Sequence, residues 1–102
     1  MSYFVRRWWG LSVHELPASK FALVLDELRD SDEEHESVTL EHESGWTLSY
    51  TRLGTLVLES EDPRNCFHQS GVTPDYVRTL WEQLARGEVA RVRDEPWAPG
   101  DG

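Results

Sequence analysis

Between Val38 and Glu59 apolar residues recur with a period of two. The runs Val38-Thr-Leu-Glu-His42, Trp46-Thr-Leu-Ser-Tyr50 and Thr55-Leu-Val-Leu-Glu59 each send alternate side chains to opposite faces, the signature of half-buried strands. Each is separated from the next by a segment ending in glycine. A two-residue first turn, Ser44-Gly45, would pair Leu40 with Ser49 and Glu41 with Leu48, scattering the apolar side chains over both faces. A loop of Glu43-Ser44-Gly45 instead pairs Leu40 with Leu48 and His42 with Trp46, and puts glycine at the last loop position, where the backbone turns left-handed. Arg52-Leu53-Gly54 does the same for the second turn, pairing Tyr50 with Leu56 and Leu48 with Leu58. A three-stranded antiparallel meander follows. Its polar face carries Thr39, Glu41, Thr47, Ser49, Thr51, Thr55, Val57 and Glu59, with no lysine or arginine, and helices are expected over the other face.

Elsewhere the period lengthens towards that of a helix. Phe21, Val24, Leu25 and Leu28 lie at i, i+3, i+4 and i+7, predicting a helix over Leu16–Asp30. Ser12 and Glu15 have capping-box spacing, but Pro17 is best tolerated in a first turn, which favours the later start. Thr73 as N-cap, Pro74 at the first helical position and a Val72–Val77 staple predict a second helix, with Val77, Leu80, Trp81, Leu84 and Ala85 buried and Gly87 as its stop. Glu88–Asp94 suits one further short turn of helix. Residues 94–102 close the chain as an extended tail, with Trp97 folded back as an anchor. Tyr3–Trp9 reads as an edge strand and a candidate fourth strand, and Ser31–Ser37 as a solvated loop. The expected fold is a single two-layer α+β domain spanning 1–102, with a three- or four-stranded antiparallel meander and helices on one face.

Composition sharpens this picture in one respect. The net charge is −9, from 19 acidic and 10 basic residues, a field that repels phosphate backbones and anionic lipid and attracts basic protein surfaces. The excess is uneven. Asp26, Glu27, Asp30, Asp32, Glu33, Glu34, Glu36, Glu41 and Glu43 fall within eighteen residues that hold a single cation, Arg29. Such a belt serves either as a solvated run that keeps the protein soluble or as a docking surface for a basic partner. In the second case Asp32, Glu33, Glu34, Glu36, Glu41 and Glu43 are the expected partner-binding residues. One cysteine, Cys66, rules out an internal disulfide and suits a reducing compartment; with no long apolar run, the cytoplasm is the expected location.

The chemistry of catalysis is thinly represented. Cys66 and His68 stand two apart in an expected loop without an orienting third group, and no nucleophile elbow, Walker loop or dinucleotide fingerprint occurs, so no enzyme activity and no cofactor is expected. His35 and His42 among carboxylates suggest a metal, but the calcium-loop pattern and paired-ligand zinc motifs are missing, and no metal is expected. Arg6, Arg7, Trp8 and Trp9 suit stacking on single-stranded nucleic acid, against which the overall negative field works. Trp46 and Trp81 belong to the core. Trp8, Trp9 and Trp97 at the chain ends include candidates for exposed interface anchors.

The helix around Phe21-Ala-Leu-Val-Leu-Asp-Glu-Leu28, the meander with Gly45-Trp46-Thr-Leu-Ser-Tyr50 and Gly54-Thr-Leu-Val57, and the closing Val72-Thr-Pro-Asp-Tyr-Val77 helix running towards Trp97 follow one another in a suggestive order. That order resembles the small immunity proteins that neutralise polymorphic bacterial toxins, including the group paired with deaminase toxins. The strand at Tyr3–Trp9 and the Pro/Trp tail depart from the pattern. The resemblance implies an acidic single-domain inhibitor that plugs a toxin's active site. The competing expectation is an accessory or scaffold subunit of a larger assembly, bound through exposed tryptophans or an open sheet edge.

Overall fold

The computed structural model describes residues 2–7, 12–28 and 37–100. Its centre is the meander. Strands β3 (Ser37–His42), β4 (Thr47–Thr51) and β5 (Leu56–Glu59) pair with Leu40 opposite Leu48, Leu48 opposite Leu58 and Tyr50 opposite Leu56. The loops close as the apolar pattern demands. The His42 N–H donates to Trp46 C=O at 3.0 Å across the first turn, and Gly45 and Gly54 take φ of 91° and 89°. Only glycine holds that conformation without a Cβ penalty.

The sheet is larger than three or four strands. Among the described residues seven strands run in the order β2 (Ser12–His14), β1 (Tyr3–Arg6), β3, β4, β5, β6 (Cys66–Gln69) and β7 (Ala98–Pro99), with every neighbouring pair antiparallel. Strand β1 (Tyr3–Arg6) is not an edge: it is clasped between β2 (Ser12–His14) and β3, with Val5 opposite both Val13 and Leu40. Ser12 is therefore strand rather than a helix cap. Strand β6 (Cys66–Gln69) occupies the stretch read as a loop, with Leu58 opposite Phe67. The tail folds back along it as β7 (Ala98–Pro99) and is held there by Trp97, whose indole N–H donates to Val92 C=O at 2.8 Å.

Helices α1 (Phe21–Glu27), α2 (Pro74–Ala85) and α3 (Val89–Arg93) cover one face. Leu16 and Pro17 are outside any helix and Ala18–Lys20 is a turn of 3-10 helix, so α1 begins later than Leu16; Asp30 lies outside the described residues. Thr73 caps α2 as expected, its Oγ1 accepting the Tyr76 N–H at 3.3 Å, and Gly87 ends it at φ 80°.

The core lies between these layers. Val5, Leu40, Leu48 and Leu56 from the sheet, Phe21 and Val24 from α1, and Trp81 and Leu84 from α2 have no solvent exposure. Trp81 is its pivot, with the Phe21 ring edge-on at 5.5 Å and its own N–H donating to Leu48 C=O at 3.2 Å. Tyr3 in turn meets Phe21 edge-on at 6.1 Å, so one aromatic chain ties β1 to both long helices. A buried ring of this kind is worth roughly 3–5 kcal/mol against alanine. Trp46 points the same way but is only half-buried, with the Arg93 guanidinium 5.0 Å above its ring.

Candidate functional site

Strand alternation sends every second side chain to the face opposite the helices, and no helix among the described residues covers it. Register fixes its rows. One runs Ser12, Arg6, Thr39, Ser49, Val57, His68 and Ala98 from β2 to β7; the next runs His14, Phe4, Glu41, Thr47, Glu59 and Cys66. The centre is polar and hydrogen-bonded, with the Thr39 and Ser49 hydroxyls 2.9 Å apart. The polar face inferred for the meander is this face. Extending the sheet to β1 adds a cation to it, Arg6.

Glu41 and Glu59 flank Thr47 in one row, so their strands are about 10 Å apart. The β3–β4 turn and the β5–β6 loop lie at the same end of the sheet. Glu61 of that loop reaches the β3–β4 turn, its Cδ 3.4 Å from where a side chain on Gly45 would begin. Glu41, Glu43, Glu59 and Glu61 are all exposed. Glu43 is anchored through its backbone, its N–H donating to Ser2 C=O at 2.9 Å, which leaves the carboxylate outward. Asp62 contributes less: side-chain and backbone hydrogen bonds from Arg64 hold its carboxyl below the usual range, and the same guanidinium, at 2.7 Å, cancels the charge locally.

Of the partner-binding residues expected from the sequence, Glu41 and Glu43 stand together at this end, while Asp32, Glu33, Glu34 and Glu36 lie outside the described residues. Glu27, the other end of the belt, is compensated by Arg7 at 3.1 Å. The structure adds Glu59 and Glu61, which are distant from Glu41 along the chain and come alongside it only through strand pairing. The usable signal was the register itself: the hairpin that pairs Leu48 with Leu58 also sets Thr47 opposite Glu59.

The other candidates rearrange. Cys66 and His68 are on a strand, not in a loop, and share the uncovered face. His68 Nδ1 faces Gly100 C=O at 3.1 Å; a carbonyl only accepts, so this nitrogen donates, and the contact secures the tail. Cys66 is opposite Glu59. His42 points away from Glu41, into the helical layer, 4% exposed. Its Nδ1 accepts the Ser44 N–H at 3.1 Å, which puts the ring proton on Nε2, a buried atom without a hydrogen-bond partner among the described residues. Among the described residues no three His, Cys, Asp or Glu side chains gather as metal ligands. Arg6 and Arg7 diverge, one on the uncovered face and one on Glu27, so they make no joint basic patch; Trp8 and Trp9 lie outside the described residues. No helix among the described residues is long and apolar enough to cross a membrane.

The N-terminal half of the face is indented. Phe4, Arg6, Ser12, Thr39 and Glu41 line an open cleft of about 240 Å³. Phe4 is 45% exposed, unusual for so large an apolar side chain in an inner strand. Both outer strands are blunt: β2 has three residues, and β7 has two, one of them Pro99. Short, proline-bearing edges resist the addition of a further strand. In comparisons with known proteins, no family model, no curated protein and no solved structure matches the chain.

Proposed function

We propose that this protein is a non-catalytic binder that docks a basic partner protein on the uncovered sheet face and its acidic end. It would occlude the partner's cationic site in the manner of an immunity protein or antitoxin. The observation that carries this reading is the gathering of four exposed carboxylates, Glu41, Glu43, Glu59 and Glu61, at one end of a face that no described helix covers. Hydrogen-bonded strands and turns fix the backbone that carries these groups, so docking need order only their side chains. Their summed field steers a cationic molecule to them. A toxin that handles nucleic acid has a cationic cleft, and fixed carboxylates can stand there in place of phosphates. Asp32, Glu33, Glu34 and Glu36 precede β3 in the chain and extend the same block of charge in sequence.

An accessory subunit bound through an edge or through exposed tryptophans finds less support. Both described edge strands are short and Trp97 is tied to Val92, while Trp8 and Trp9 lie outside the described residues.

The test is kinetic. Replacing Glu41, Glu43, Glu59 and Glu61 by lysine should slow association with the partner isolated from the native cell at least about tenfold at low salt. Near physiological ionic strength, where the Debye length is about 8 Å, the difference should narrow. Association that is unchanged at low salt would dispose of the reading.

A further inference from the structure

The indentation on the uncovered face has a more specific chemistry than charge alone. Phe4 and Glu41 are directly opposite each other on β1 and β3, so an exposed aromatic ring and an exposed carboxylate share one row. On the far side of Phe4, from β2, His14 lies against the ring with centroids 4.8 Å apart and planes tilted by 39°. His14 thereby backs the ring and limits its movement, leaving the Glu41 side open. The hydroxyl-bearing residues Ser12 and Thr39 complete the walls of the cleft of about 240 Å³.

We propose, resting on the reading above, that this cleft is an arginine-reading notch for the basic partner protein. The guanidinium of one partner arginine lies on the Phe4 ring and donates to the Glu41 carboxylate. The pairing follows from complementary chemistry. A guanidinium is planar, weakly hydrated and able to stack and hydrogen-bond at once, whereas a lysine ammonium is a compact, strongly hydrated point charge that gains less from a ring beside a carboxylate. Arg6, in the adjacent row and lining the same cleft, opposes any cation there. It sets a direction for the test, because its removal strengthens cation binding where removal of Glu41 weakens it. The remaining carboxylates at the end of the sheet supply attraction without distinguishing the two cations.

The experiment titrates the full chain with hexa-arginine and with hexa-lysine peptides at low salt, following affinity by calorimetry and location by amide chemical shifts. The wild type should bind hexa-arginine about two- to fivefold more tightly than hexa-lysine, with the largest shifts around Phe4 and Glu41. Phe4→Leu should abolish that preference by weakening hexa-arginine more than hexa-lysine; circular dichroism checks that the fold persists. Glu41→Gln should weaken both peptides, and Arg6→Gln should strengthen both. Equal affinities in the wild type, or a preference that survives Phe4→Leu, overturn the notch. If both peptides bind equally and the Glu41, Glu43, Glu59 and Glu61→Gln variant loses both, the notch falls and the acidic docking surface stands. If neither peptide binds the wild type, both fall.

Discussion

Tyr76 joins three elements through a single hydroxyl. It donates to Glu95 Oε1 at 2.6 Å and accepts from Gln69 Nε2 at 2.8 Å, linking α2 to β6 and to the tail that follows α3. Burial, and then the hydrogen bond to the Glu95 carboxylate, push its pKa from 10.0 up to about 12. In the unfolded chain the phenol ionises near its ordinary value, while the folded protein still holds the proton. Stability from this group is therefore complete below pH 10 and lost as pH rises towards about 12. Tyr76→Phe should cost about 1–2 kcal/mol at neutral pH from two lost hydrogen bonds. It should also flatten the decline of denaturant-measured stability across that alkaline window. A slope identical to wild type would refute the assignment; some slope remains in the variant, because burial also raises Tyr3 and Tyr50. None of this network was readable from sequence, since Gln69, Tyr76 and Glu95 share no local spacing. Trp81 was readable, because it falls on a helical stripe. The orientation of His42 also follows from strand alternation, which turns it away from its carboxylate neighbours in sequence.

At the scale of elements, legibility followed length and regularity. The meander strands alternate throughout except at Val57, and their register could be deduced by demanding one apolar face and a left-handed glycine in each turn. Gly45→Ala and Gly54→Ala should each cost about 1–2 kcal/mol in urea unfolding, through backbone strain at positive φ rather than through a clash. The nearest atoms to an added methyl are 3.4 Å and 3.9 Å away. No measurable loss in both variants would mean that the turns relax to another loop type. Strands β2, β6 and β7 escaped for different physical reasons. Three residues of Ser-Val-His are too few for a period to declare itself. In Cys66-Phe-His-Gln69 only Phe67 is strongly apolar, so the inward face has a single marker. Ala98-Pro99 lacks one of the two backbone donors a strand pair uses, and its placement depends on Trp97 reaching Val92. The 3-10 turn ahead of α1 reflects Pro17, which the helical period alone cannot weigh.

Across the whole molecule, the charge surplus was evident from composition, and its location was only half evident. Linear clustering pointed to residues 26–43, whereas pairing adds Glu59 and Glu61 to Glu41 and Glu43, and Arg7 neutralises Glu27. Long-range register, which no single segment encodes, separates the two descriptions. Strand order also bears on assembly. The hairpins β1–β2, β3–β4 and β4–β5 join near neighbours, but β1 meets β3 through Val5 and Leu40, a closure of roughly 35 residues whose entropy must be met before the contact rewards it. Leu48→Ala should therefore slow refolding in stopped-flow experiments, whereas Val5→Ala should chiefly accelerate unfolding, each site being fully buried. The reverse assignment would show that the N-terminal hairpin nucleates. Synthesis runs from the N-terminus, so β1 leaves the ribosome before the β3 strand it pairs with. Until β3 has emerged, a nascent chain carries one flank of Tyr-Phe-Val-Arg unpaired, a brief interval in which another chain's strand could take β3's place.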